Sequence, residues 1–89
     1  MTQYPVIDIV ATGKRIKELR KENKMRVWEV ADFMGLESTQ AIYKWQRGDS
    51  LPTVDNLYAL SRLFGTTVDS ILVGRGEAGQ SSVSPGRAA

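Results

Sequence analysis

Only three residues, Gly35-Leu36-Glu37, separate two stretches of helical periodicity, and that spacing constrains the chain more than any other feature. Before the break, Val27, Val30, Ala31 and Met34 recur at i, i+3, i+4 and i+7, one apolar stripe on a helix. After it, Ala41, Ile42 and Trp45 mark a second helix, and Gly48 offers a left-handed stop. A connection this short cannot let the second helix run far from the first. The two must cross steeply, and the small Ala31 permits a close approach. Trp28 and Phe33 flank the first stripe and should be partly buried.

The second of these helices carries the groups that could do work. Ser38 is a good N-cap. Thr39, Gln40, Tyr43 and Lys44 fall opposite the apolar face and bring hydroxyls, an amide and an ammonium, groups suited to base edges and phosphates. Arg47 adds a cation beside the Gly48 stop. Taken alone, the segment reads equally well as a major-groove reader or as an ordinary amphipathic surface helix.

The rest of the chain extends the helical pattern. Thr12 is the candidate N-cap of a first helix, GKRIKELRKEN, with Ile16 and Leu19 inward and a strongly basic exterior. Residues 1–11 read as an N-terminal arm strapped over the core. Leu51 should tuck inward after the turn at Asp49. Thr53 caps a fourth helix whose inner stripe is Val54, Leu57, Leu60, Ser61 and Phe64, and Thr67 caps a short fifth one containing Ile71. Ile16, Leu19, Val30, Ala31, Met34, Ile42, Trp45, Leu57, Leu60, Phe64 and Ile71 are expected to form one core. Residues 74–89 are rich in Gly, Ser, Ala and Pro and should be a disordered tail. The expectation is an all-α, compact five-helix domain over residues 12–73.

Charge distribution says more than the net charge of +2. Between Gly13 and Gly48 nine Lys/Arg stand against five Asp/Glu; between Asp49 and Val73 one Arg stands against three Asp. The first half therefore suits a polyanion. The 89 residues include no cysteine and no histidine, which removes disulfides, thiolate nucleophiles and the usual zinc ligands. No phosphate-cradling glycine loop or carboxylate cluster is visible either, so an enzyme is the weakest reading, and no metal or cofactor is expected. The apolar residues near the start are few and interrupted by Asp8, so neither a signal peptide nor a membrane span is read there, and a cytoplasmic location is expected.

With these blocks in order, RIKELR, EVADFMGL, IYKWQRG, LPTVDNLYALSRLFG and TVDSIL, the stretch Gly13–Val73 resembles the lambda-repressor-like helix-turn-helix family, also called the xenobiotic-response-element type. The resemblance implies a five-helix DNA-binding domain that acts as a dimer on a palindromic operator, with its third helix in the major groove. It places Thr39, Gln40, Tyr43 and Lys44 at base-facing positions, and Ser38 and Arg47 near the phosphate backbone. Gln40 could bond an adenine edge and Lys44 guanine acceptors. Against this, Tyr43 could lie along the helix surface and Lys44 could be a solvated helix-end cation.

Three departures from the family pattern stand out. Most members carry a glutamate where this chain has Gln46, paired with the arginine that is here Arg20. Gln46 can still accept a hydrogen bond, and Arg20 should then reach solvent or a phosphate. Arg26-Val27 replaces the usual Ser-Gln that opens the second helix; Arg26 is a poor cap but a plausible phosphate contact. The Gly35–Trp45 interval is one residue longer than usual, placed as an insertion at Glu37.

The functional expectation is a sequence-specific duplex-DNA-binding regulator, a repressor in the absence of any activation or effector domain, forming a weak dimer on DNA. The alternative is a protein-binding module on the same scaffold, such as an antitoxin or coactivator component.

Overall fold

A computed structural model of the chain describes residues 4–76. Five helices follow one another: α1 (Ile9–Glu22), α2 (Val27–Phe33), α3 (Gln40–Arg47), α4 (Val54–Phe64) and α5 (Val68–Ile71). Among the described residues the one extended pairing is an isolated antiparallel bridge between Ile7 and Gly74. The all-α five-helix expectation holds.

α1 begins earlier than its sequence suggests. Asp8, not Thr12, is its N-cap, with Oδ1 accepting the Ala11 N–H at 2.9 Å. A carboxylate at this position also meets the positive end of the helix. Thr12 lies fully buried inside the helix, and its Oγ1 accepts the Val73 N–H at 3.0 Å. Ile9 and Val10, expected in the arm, are helical. What remains of the described arm is clasped to the chain beyond α5: Asp8 N–H donates to the Val73 carbonyl (2.8 Å) and Arg75 N–H to the Val6 carbonyl (2.7 Å). Gly74 and Arg75 therefore belong to this clasp, although the disordered tail was expected from residue 74. The rest of that expected tail, 77–89, lies outside the described residues.

The break between α2 and α3 starts as its sequence demands. Gly35 adopts φ +70°, Gly35 N–H donates to the Asp32 carbonyl and Leu36 N–H to the Ala31 carbonyl, which satisfies two carbonyls of the last turn of α2. Leu36 then folds back against the core. Bends at residues 37–39 follow before α3 starts at Gln40.

Ten of the eleven expected core residues are buried, and Val27 joins them. Met34 is the exception: it is half-buried and packs against the core from outside, because it sits where α2 is already turning away. Two other inward placements fail. Val54 is 79% exposed, since the first turn of α4 extends past the edge of the core, and Pro52 rather than Leu51 is buried in the preceding turn. Trp28 and Phe33 are more than half exposed, so α2 presents two aromatic rings to solvent.

Candidate nucleic-acid interface

α3 is held from behind. Ile42 and Trp45 are buried in the core, while Gln40, Tyr43, Lys44 and Arg47 are exposed. Those four stand at i, i+3, i+4 and i+7, so they line one face of the helix. The same 3.6-residue period that buries the back thus presents an amide, a phenol, an ammonium and a guanidinium together at the front.

The entry to α3 differs in detail from its sequence reading. Thr39, not Ser38, occupies the cap position, with helical φ −87° and ψ −1°, and its side chain makes no capping bond. Ser38 supplies the hydroxyl from one residue earlier, its Oγ accepting the Gln40 N–H at 3.3 Å. Thr39 is half-buried, so it is the most recessed of the four proposed base-facing residues. Arg26 sits at the N-cap of α2, exposed, and its side chain caps nothing; the Glu29 carboxylate instead accepts the Arg26 backbone N–H at 2.7 Å. Its guanidinium remains exposed at the start of α2. Unsatisfied amides at such helix starts attract anions.

Two side-chain arrangements escape local sequence reasoning. Arg47 Nε and Nη2 both approach Asp49 Oδ2, at 2.9 and 2.8 Å, with both side chains more than half exposed. This is a surface pair, worth at most about 1 kcal/mol, so a competing anion can displace it. Arg20, expected to reach solvent or a phosphate, is half-buried and uses two of its donor nitrogens inside the protein. Its Nε donates to Gln46 Oε1 (2.9 Å) and its Nη1 to the Met25 carbonyl (2.8 Å), in a half-buried position. Arg20 therefore ties the end of α3 to α1 and to the loop before α2. The possible Arg20–Gln46 bond followed from the family resemblance, where a glutamate pairs with this arginine; the Met25 anchor was not foreseen.

α1 crosses α3 at Gly13, which is buried. A Cβ at that position would overlap the Trp45 carbonyl oxygen and lie 2.9 Å from the Gln46 carbonyl oxygen. Nothing in the sequence around Gly13 announced this contact.

Comparison with known proteins follows the geometry. A model of the helix-turn-helix family matches residues 16–71. The chain is 36% identical over 62 residues to Repressor protein C2 of Salmonella phage P22, which covers 70% of this chain and 28% of that repressor. The P22 c2 repressor protein solved with a synthetic operator superimposes with a TM-score of 0.64 at 34% identity, covering 68% of this chain and 91% of that one. The restriction-modification controller protein C.AhdI from Aeromonas hydrophila gives 0.66 at 22% identity, over 72% of this chain and 96% of its own. Hydroxypropylphosphonic acid epoxidase from S. wedmorenis also gives 0.66, at 18% identity, over 73% of this chain and 34% of the enzyme. At such identities the last two show a shared fold alone.

Proposed function

Since the chain belongs to the lambda-repressor-like helix-turn-helix family of DNA-binding domains, we propose that it is a sequence-specific transcriptional regulator, acting as a repressor, that reads duplex DNA with α3 in the major groove. The observation that carries this is the division of α3 into a buried Ile42/Trp45 back and an exposed Gln40/Tyr43/Lys44/Arg47 front. The epoxidase that shares the fold is a reminder that function is argued from the site, not from the scaffold.

In this reading Gln40 and Lys44 specify bases, with Tyr43 and the recessed Thr39 beside them. Arg26, Ser38 and Arg47 hold the phosphate backbone and supply affinity without sequence information. Arg47 reaches a phosphate by exchanging it for the Asp49 carboxylate. Arg20 acts through Gln46 and Met25, fixing the end of the reading helix rather than touching DNA. The partner is double-stranded DNA carrying a palindromic operator, with half-sites about 10 base pairs apart and one copy of a weak dimer on each. A cytoplasmic location goes with this reading; no helix among the described residues is long and apolar enough to cross a membrane.

Selection of bound sequences from a random duplex pool tests the proposal. The expected result is a palindromic consensus and binding that weakens steeply with salt. A pool that shows no enrichment and no salt dependence would overturn it. A second reading, a protein-binding module, draws on the exposed Trp28 and Phe33 of α2. It takes over if Trp28→Ala and Phe33→Ala abolish capture of a protein partner while Gln40→Ala and Arg47→Ala leave every binding property unchanged.

A further inference from the structure

α1 runs across the C-terminal end of α3, and three places fix the crossing. A Cβ on Gly48 would lie 2.9 Å from the Val10 Cα, Gly13 meets the Trp45 and Gln46 carbonyl oxygens, and Arg20 Nε donates to Gln46 Oε1. Lys17 stands between Gly13 and Arg20 on the same side of the helix, at i+4 from one and i−3 from the other. Lys14 and Lys21 flank it at i−3 and i+4. All three lysines are exposed, and among the described residues none takes part in an ion pair. Glu18 is turned instead to Arg15, whose Nε reaches the Ser70 carbonyl of α5.

Like charges at these spacings destabilise a helix, and no carboxylate offsets them here. Arg20 adds to the same field, because Gln46 accepts its hydrogen bond without cancelling its charge. Lys44 and Arg47 continue the cationic surface onto the last turn of α3. That turn is also the negative end of the helix dipole, so a phosphate strand passing it needs cations close by. We propose that Lys14, Lys17 and Lys21 form a second phosphate-binding track on α1, holding the DNA strand that passes the C-terminal end of α3. The proposal rests on the DNA-binding reading and extends its footprint beyond the helix-turn-helix itself. Phosphates are alike at every base pair, so the track adds affinity and salt dependence without selectivity. Arg20 contributes its field and stays bonded within the protein.

Titration of a random-sequence duplex with the full chain at several salt concentrations tests it. Lys14→Gln, Lys17→Gln and Lys21→Gln combined should lower the slope of log affinity against log salt by at least about two units per subunit, since each neutralised phosphate supplies about 0.9. Affinity at low salt should fall at least about tenfold. The matching arginine triple, Lys14→Arg, Lys17→Arg and Lys21→Arg, keeps the charges and should keep the wild-type slope. Arg62→Gln with Arg75→Gln removes two exposed cations elsewhere and should change the slope by less than about half a unit. Without DNA, the glutamine triple should melt at or above the wild-type temperature, because repulsion along α1 is relieved; its lost slope is then not lost folding. A smaller fall in slope, an arginine triple that loses as much, or an Arg62/Arg75 variant that loses as much per charge overturns the track and leaves the DNA reading standing. A wild type that binds no duplex at any salt removes the DNA reading and the track with it.

Discussion

Replacing Gly13 by alanine sets two effects of known sign against each other. Inside a helix alanine is favoured over glycine by about 1 kcal/mol, so on α1 alone the change is stabilising. The tertiary structure opposes it. The new methyl would overlap the Trp45 carbonyl oxygen and approach the Gln46 carbonyl oxygen to 2.9 Å, where ordinary contacts start near 3.4 Å. Both obstacles are backbone atoms of α3, so no flexible side chain can swing aside. α1 must move off α3, loosening Ile16 and Trp45 in the core they share. Overpacking of this kind costs about 1–3 kcal/mol and more when backbone must shift. Because both obstacles are backbone, the cost falls in the upper part of that range, about 2–3 kcal/mol, and less the helical gain of about 1 kcal/mol it leaves a net loss of about 1–2 kcal/mol; in a domain of this size each kcal/mol lowers Tm by about 4–8 °C. Thermal unfolding followed by circular dichroism reads this directly. Lys17→Gly, on the exposed side of the same helix, calibrates the propensity effect and should cost about 1 kcal/mol. A Gly13→Ala protein melting at or above the wild-type temperature would refute the close crossing.

Other consequences follow from the same geometry. Trp45→Ala removes the buried anchor of α3 and should cost about 3–5 kcal/mol, checked by urea unfolding; a melt within a few degrees of wild type would take Trp45 out of the core. Gln40→Ala should weaken the preferred operator by about 1–3 kcal/mol and relax selectivity at one base position per half-site, whereas equal losses on operator and random duplex would mean that Gln40 reads no base. Arg47→Ala should weaken all duplexes alike and reduce the salt slope by about one unit per subunit, read by titration at several salt concentrations. Asp49→Asn releases Arg47 from its surface pair and should tighten binding to every duplex by up to about fivefold; an unchanged affinity would show that the pair does not compete with phosphate.

Most of the exposed face of α3 was legible because a helix repeats every 3.6 residues. Once Ile42 and Trp45 are inside, Gln40, Tyr43 and Lys44 are outside as expected, while Thr39, expected beside them, is half-buried at the helix start and Arg47 completes the face instead. The stops at Gly35, Gly48 and Gly65 and the caps at Thr53 and Thr67 were legible for a related reason: each acts on backbone groups within a few residues of itself. Where the partner is distant, the same local chemistry misled. Thr12 is a good cap by type, but its hydroxyl is taken by the Val73 N–H, 61 residues away, and Asp8 opens the helix instead. Val54 fits the stripe of α4, yet nothing packs over its turn. Gly13 looks like a flaw in α1 until α3 is laid across it. Arg20, Met25 and Gln46 meet only because the end of α1, the loop before α2 and the end of α3 converge. Periodicity is a property of a segment, and the sequence alone determined it, as it did the caps at Thr53 and Thr67, whose partners lie within three residues. Which segments touch, and which charges and carbonyls then find each other, was decided by tertiary packing, because those contacts join residues that no local pattern relates.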